Sequence, residues 1–323
     1  MTKYEFDVSI VFRALNEEKY FEEALMACRR QKLNDMTFEI ILVDSGSTDR
    51  TLEIAEKYQC EIVSIPRKLF SFGRSLNWGC NVAKGKHLVF ISAHCIPTHD
   101  RWLHNLVMPL KNGSANYAYG KQLGAAHSKF SEKQLFAKYF PDQDRLQSAD
   151  FFVNNANSAV LHSVWEKHGF DEEVTGLEDM VLGQKIIENG DKIAYVANAP
   201  VTHIHEESLK QVKTRYYREA LTLREVLPEI QMSFFDFMRF TMAGIKNDLS
   251  AAFKQKVFFK NFGSILAFRT MQFWGSYKGQ NENKKISRAQ KEAYYYPRVS
   301  SKPMKNKDLA YKKPSLQKAS ETE

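Results

Sequence analysis

The chain has 323 residues, 43% of them hydrophobic, and a formal charge of +8. That is enough to bury the core of one large domain and leave an appendage. No basic-then-apolar leader opens it and no window reaches ~18 uninterrupted apolar residues, so neither a signal peptide nor a spanning helix is expected. Cys28, Cys60, Cys80 and Cys95 form no CxxC or other metal spacing; reduced, mostly buried thiols and a cytoplasmic setting are expected. The basic excess lies from Lys256 onward. No groove-reading motif accompanies it, so nucleic acid is not an expected partner, whereas an anionic bilayer or a phosphate-bearing substrate fits.

In chain order, Val8 to Phe12 reads as a strand and Glu18 to Arg30 as a helix. Glu39 to Asp44 follows, with Ile40, Ile41, Leu42 and Val43 forming the apolar run of a strand covered on both faces. Asp44 stands at its carboxyl edge, where open α/β sheets bind ligands. Gly46 lets the chain turn, Ser47 or Thr48 can cap a helix from Thr48 to Tyr58, and Asp49 suits its first turn. Glu61 to Ile65 is a short strand, Gly73 to Ala83 a helix stopped at Gly85, His87 to Ile91 a strand, and Asp100 to Leu110 a helix beyond Pro97. This alternation predicts an α/β fold with a mainly parallel sheet and helices on both faces. Lys121 to Phe152 has no clean periodicity. Ser158 to Leu161 reads as a strand returning to the sheet and Glu178 to Glu188 as a helix. From Glu206 the chain turns helical and amphipathic, and Arg298 to Glu323 has little to bury and reads as disordered.

Four segments, in order, carry a resemblance: VSIVFRALNEEKYFEEAL (Val8 to Leu25), FEIILVDSGSTDRT (Phe38 to Thr51), FGRSLNWGCNVAKGKHLVFIS (Phe72 to Ser92) and GLEDMVLGQKI (Gly176 to Ile186). Together they resemble the family 2 glycosyltransferases, in particular those of bacterial surface polysaccharides, over roughly the first two-thirds of the chain. The resemblance implies a GT-A catalytic domain over 1–205, after which pattern and composition add a helical region over 206–296 and a basic disordered tail over 297–323. It also implies inverting transfer of a sugar from a UDP-, dTDP- or GDP-linked donor to a hydroxyl of a glycan or lipid-linked acceptor.

Within it, Arg13, Asn16 and Glu17 are expected beside the nucleotide crevice, with Asp44, Ser47 and Arg74 completing the grip on the donor. The family's DxD reads Ser92-Ala93-His94 here. Ser92 takes the first acidic position and can donate to ribose. His94 takes the last, where imidazole suits Mn²⁺ better than Mg²⁺; the alternative is that His94 or Arg74 neutralises phosphate directly. His203 and His205 alternate on an extended segment and can join His94 as metal ligands. Asp179 aligns with the family's general base and Glu178 with a partner that orients the acceptor. Asn154, Asn155 and Asn157 resemble an acceptor-lining stretch, or form a ligand-free amide turn. Gly73, Asn77, Gly79 and Gly85 are read as architecture.

Two other classes stay open. A nucleotidyltransferase would show a Gly-rich basic loop that VFRALNEE lacks, and a non-catalytic scaffold is supported by the missing DxD alone. Phe234, Phe235, Phe237, Phe240, Phe258, Phe259, Phe268, Phe273 and Trp274, set among lysines between Met232 and Gly279, predict peripheral seating on the inner face of a membrane. The competing expectation is that these aromatics are core.

Overall fold

Side-chain alternation in the first strand covers both faces of the sheet at once. In β1 (Phe6–Ala14), Val8, Ile10 and Phe12 enter one core and Val11 the other, all buried. The computed structural model describes residues 3–282; the expected disorder of Arg298 to Glu323 lies outside them. After β1 come α1 (Glu18–Arg29), β2 (Phe38–Asp44), α2 (Thr51–Lys57), β3 (Glu61–Ser64), α3 (Phe72–Val82), β4 (Gly85–Ser92), β5 (Cys95–Pro97) and α4 (Trp102–Lys111). The chain continues through β6 (Tyr117–Gly124), α5 (Phe130–Tyr139), β7 (Arg145–Gln147), β8 (Asn157–Leu161), α6 (His162–His168), α7 (Glu178–Glu188) and β9 (Ile193–His203). Three helices close it: α8 (Leu209–Val226), α9 (Phe234–Lys254) and α10 (Phe258–Gln280).

The sheet runs β3-β2-β1-β4-β8-β6-β9-β5, with β7 also paired to β9. β1 to β4 are parallel, β8 is antiparallel to both neighbours, β6 and β9 are parallel, and β5 and β7 run antiparallel to β9. One core packs α1, α2 and α4 through residues such as Phe21, Ile54 and Trp102. The other packs α3, α6 and α7 through Leu76, Trp165 and Leu182. Helices on both faces of a mainly parallel sheet are what the alternation predicts.

Three expectations need correction. Neither Ser47 nor Thr48 caps α2: the Ser47 hydroxyl accepts from the Asn16 N–H, the Thr48 N–H donates to Asn16 Oδ1, and the helix starts at Thr51. Gly85 does not stop α3, which ends at Val82. It opens β4 where a Cβ would lie 2.5 Å from the Ser9 nitrogen. Lys121 to Phe152 contains α5, whose buried Phe130, Ser131 and Glu132 are consecutive and leave no periodic stripe.

The C-terminal aromatics divide. Phe237 and Phe268 are buried, Phe237 meeting the Trp274 ring at 5.4 Å, while Phe234, Phe235, Phe240 and Phe259 are exposed. Core packing therefore accounts for part of that aromatic density, with Phe258, Phe273 and Trp274 partly buried.

Candidate active site

The carboxyl ends of β1, β2 and β4 lie level, with Arg13 beside Ser92 and Ala14 beside Asp44. A cavity of about 480 Å³ opens above them, walled by the loop after β1, by Phe70 and Phe72, by Ser92 and His94, and by the residues from Ile204 into α8. Arg13, Arg215 and Arg218 give it a cationic lining, and the Phe72 ring lies 5.1 Å from the Arg13 guanidinium carbon and 4.7 Å from that of Arg218.

Backbone pairing brings three histidines together. His94 sits in the β4–β5 turn, and its carbonyl accepts from the Ile204 N–H at 3.1 Å, between His203 and His205. The three rings each offer a nitrogen within 4.8 Å of the others. Each also has Nδ1 held by a different part of the protein: His94 by Glu17 at 3.3 Å, His203 by Gln122 at 2.7 Å and His205 by Glu132 at 2.7 Å. That leaves Nε2 of each ring for a ligand, and His203 Nε2 is buried with no hydrogen-bond partner. Burial, and then the neighbouring His205 and His94, drive the His203 pKa well below its ordinary value. Burial lowers that of His205 as well. Both are neutral imidazoles at neutral pH, the form that binds a metal, and an oriented Nδ1 is the usual support for such a ligand. The residues present fit a divalent ion.

Glu178 and Asp179 open α7, preceded by Leu177 in the left-handed region at φ 58°. Glu178 Oε1 accepts from Arg13 at 3.0 Å, which ties the base of the cavity to α7. Asp179 is buried, and its two oxygens each accept a backbone N–H, from Asn155 and Met180, both at 2.9 Å. Burial first, then the Glu178 charge beside it, pushes its pKa up to about 7.

Comparison with known proteins agrees with this geometry. Residues 9–168 match the model of Glycosyl transferase family 2. The chain belongs to glycosyltransferase family 2. It is 28% identical to the O-antigen chain rhamnosyltransferase WbaN of Salmonella anatum over 58% of this chain and 63% of that one. It is 25% identical to the O-antigen chain rhamnosyltransferase RfbN of Salmonella typhimurium, over 83% of this chain and 90% of that one. The chain thus spans under two thirds of WbaN and most of RfbN. Among solved structures, the mannosyltransferase PcManGT of Pyrobaculum calidifontis, in complex with GDP-Man and Mn²⁺, superposes with a TM-score of 0.59 at 15% identity, covering 87% of this chain and 89% of that one. Residues 1–349 of S. aureus TarS in complex with UDP superpose at 0.51 and 14% identity, over 90% and 92%. The fold is GT-A-like, and family membership removes the nucleotidyltransferase reading.

Of the residues singled out in this family 2 sequence, Arg13, Asn16, Glu17, Ser92, His94 and His205 line the cavity. His203 lies behind them, stacked on His94 with ring centroids 5.2 Å apart. Asp44, Ser47, Arg74, Asn155, Asn157, Glu178 and Asp179 do not line it. Both Asp44 oxygens accept from the turn at Gly46 and Ser47, and Ser45 faces the cavity instead. Ser47 bonds the loop after β1. Arg74 is held by Glu172 at 2.6 Å and by the Leu69 carbonyl at 2.7 Å. Asn157 is fully buried between Trp102, the Lys121 carbonyl and the Ala199 carbonyl, and Asn155 joins Tyr117 to Ser158. The last two are buried amides with separate partners inside the fold, not a cleft surface. Sequence reading missed Phe72, Glu132, Arg215 and Arg218. Arg215 and Arg218 stand three apart in a helix, a spacing that puts both on one face and was a usable signal.

Proposed function

We propose that this chain transfers a sugar, with inversion, from a nucleotide-sugar donor to a hydroxyl of a growing surface glycan or lipid-linked acceptor, in O-antigen or cell-wall polymer synthesis. The observation that carries the reading is the trio of oriented imidazoles at the carboxyl end of the sheet, beside an arginine-lined cavity, in a family 2 glycosyltransferase. His94, His203 and His205 would hold a divalent ion, Mn²⁺ in preference to Mg²⁺, whose charge offsets that of the leaving diphosphate.

The remaining work falls to side chains. Arg215 and Arg218 present positive charge to the phosphates, and the Phe72 ring stacks between Arg13 and Arg218 and limits where those guanidiniums can point. Asp179 takes the proton of the acceptor hydroxyl as its oxygen bonds to the anomeric carbon and the bond to diphosphate breaks. A carboxyl near pH 7 suits that role, since it is both deprotonated enough to act and basic enough to accept. Glu178 orients Arg13 through their ion pair. RfbN is described as a rhamnosyltransferase, while the superposed structures hold GDP-mannose or UDP, so the donor panel to test is UDP-, dTDP- and GDP-linked.

The reading includes peripheral contact with the inner face of a membrane, where lipid-linked acceptors are presented. No helix among the described residues is long and apolar enough to cross one. The test is thermal shift with the donor panel, with and without Mn²⁺, followed by turnover. Stabilisation by one nucleotide class and release of its diphosphate are expected. No response to any donor would overturn the reading, and binding without turnover would favour a non-catalytic scaffold.

A further inference from the structure

The turn joining α9 and α10 presents an aromatic and basic tip. Phe253 is 74% exposed and Phe259 95%. Phe258 holds the cluster together, its ring centroid 6.4 Å from that of Phe253, 5.4 Å from that of Phe259 and 5.6 Å from that of Phe262. Lys254, Lys256 and Lys260 stand exposed among these rings, and between Asp248 and Glu282 the chain has no Asp or Glu at all. The one arginine in that stretch, Arg269, is buried on Asp248 at 2.7 Å, so the outward charge of the tip is positive only.

Contiguous exposed aromatics cost hydration and mark a contact surface. A ring of lysines without acids repels a basic protein face and complements an anionic bilayer. There the phenylalanines enter the headgroup boundary and the ammonium groups meet lipid phosphates. The inner side of the same turn is anchored: Ala252 and Ile265 bury against Phe130 at the start of α5. Two residues further along α5, Glu132 holds His205. Half a turn of helix therefore links the tip to the imidazole cluster.

We propose that the α9–α10 turn is a peripheral docking site for anionic lipid, which brings the catalytic cavity to acceptors held at the bilayer surface. The docking deepens the membrane contact included in the reading above by naming the surface that makes it, and the last clause rests on the transferase activity.

The test is flotation of the full chain with vesicles of phosphatidylcholine alone and of phosphatidylcholine with phosphatidylglycerol at low salt. Variants are Phe253→Ser/Phe259→Ser, Lys254→Glu/Lys256→Glu/Lys260→Glu, and Phe235→Ser at the far end of α9 as a control. The wild type should float with the anionic vesicles only and detach in high salt. The triple lysine variant should lose about a hundredfold in partitioning, from roughly fivefold per lysine. The phenylalanine pair should also stay behind, while Phe235→Ser still floats. Light scattering and circular dichroism on each variant check that it remains folded. A wild type that does not float, tip variants that float as well as it does, or a concentration-dependent dimer abolished by the phenylalanine pair would each overturn the proposal. Donor binding measured without vesicles keeps the two readings apart, since its loss bears on the transferase reading and leaves the flotation result standing.

Discussion

His94, His203 and His205 each have Nδ1 held by a residue from a different element, and that division of labour is testable one residue at a time. Glu132 is the most constrained partner. It is buried and bonds both His205 and Arg215, and Arg215 in turn pairs with Glu207 at 2.9 Å. It acts as a positioning residue. Glu132→Gln keeps an acceptor for His205 but removes the charge, and should weaken Mn²⁺ or Co²⁺ affinity by about 10–100-fold. Calorimetry and the Co²⁺ absorption spectrum read that loss without reference to turnover. Unchanged metal affinity would leave Glu132 as an ordinary ion-pair partner. Asp179→Asn should lower transfer by about 10²–10⁴-fold with donor affinity nearly intact. In the wild type, transfer should rise with pH through about 7 and then level, because the raised pKa keeps the base protonated below that point. The same shift acts on stability. The folded chain holds this proton more tightly than the unfolded one, so the contribution is complete below the ordinary 3.8 and is lost as pH rises through about 7. Denaturation midpoints across that window should show a slope that Asp179→Asn removes.

At the scale of elements, the long C-terminal helices pack by contact too close for side chains. A Cβ on Gly275 would lie 2.4 Å from the Lys213 carbonyl oxygen of α8, and one on Gly279 would lie 2.4 Å from that of Tyr217. Gly263, on the same helix, has nothing within 4 Å. Gly275→Ala should therefore destabilise by about 1–3 kcal/mol through overpacking, whereas Gly263→Ala should stabilise by roughly 0.5–1 kcal/mol through helix propensity. Chemical denaturation of the pair decides it, and equal effects would show that α8 and α10 do not approach so closely. Elements also show what local signals can reach. Glu178 to Glu188 is a helix over the span its periodicity predicts, and the β2 run is buried as its composition requires. α5 was illegible because its buried residues are consecutive: Phe130 is buried against α9 and α10, and Glu132 is held by His205 and Arg215.

For the whole molecule, chelation is the broad test. EDTA should abolish transfer, and Mn²⁺ should restore it better than Mg²⁺, since imidazole ligands suit the softer ion. The melting temperature should also rise on adding Mn²⁺ by mass action, an effect absent from His203→Ala. Full activity in chelator would instead leave His94 as a direct phosphate contact. We retain the division into a catalytic unit over 1–205 and a helical region over 206–296 as a proposal, with one refinement. Glu206, Glu207, Gln211, Thr214, Arg215 and Arg218 line the cavity, so a chain ending at residue 205 should lose donor affinity even if it folds.

By itself the sequence determined the alternating elements, the parallel sheet and the placing of Arg13, Ser92 and His94 at its carboxyl edge. These follow from hydrophobic period, turn residues and strand ends, all of which act over a few neighbours. Only the tertiary structure decided which of the singled-out residues face the cavity. Asp44, Asn155 and Asn157 are buried and their polar groups find partners in the Gly46–Ser47 turn, in Tyr117 and Ser158, and in the Trp102 indole, while the partly buried Arg74 is held by Glu172. Glu132, Arg215 and Arg218 reach the site from α5 and α8 across more than a hundred residues of chain from Arg13. Such an encounter depends on how layers pack, and no local pattern encodes it.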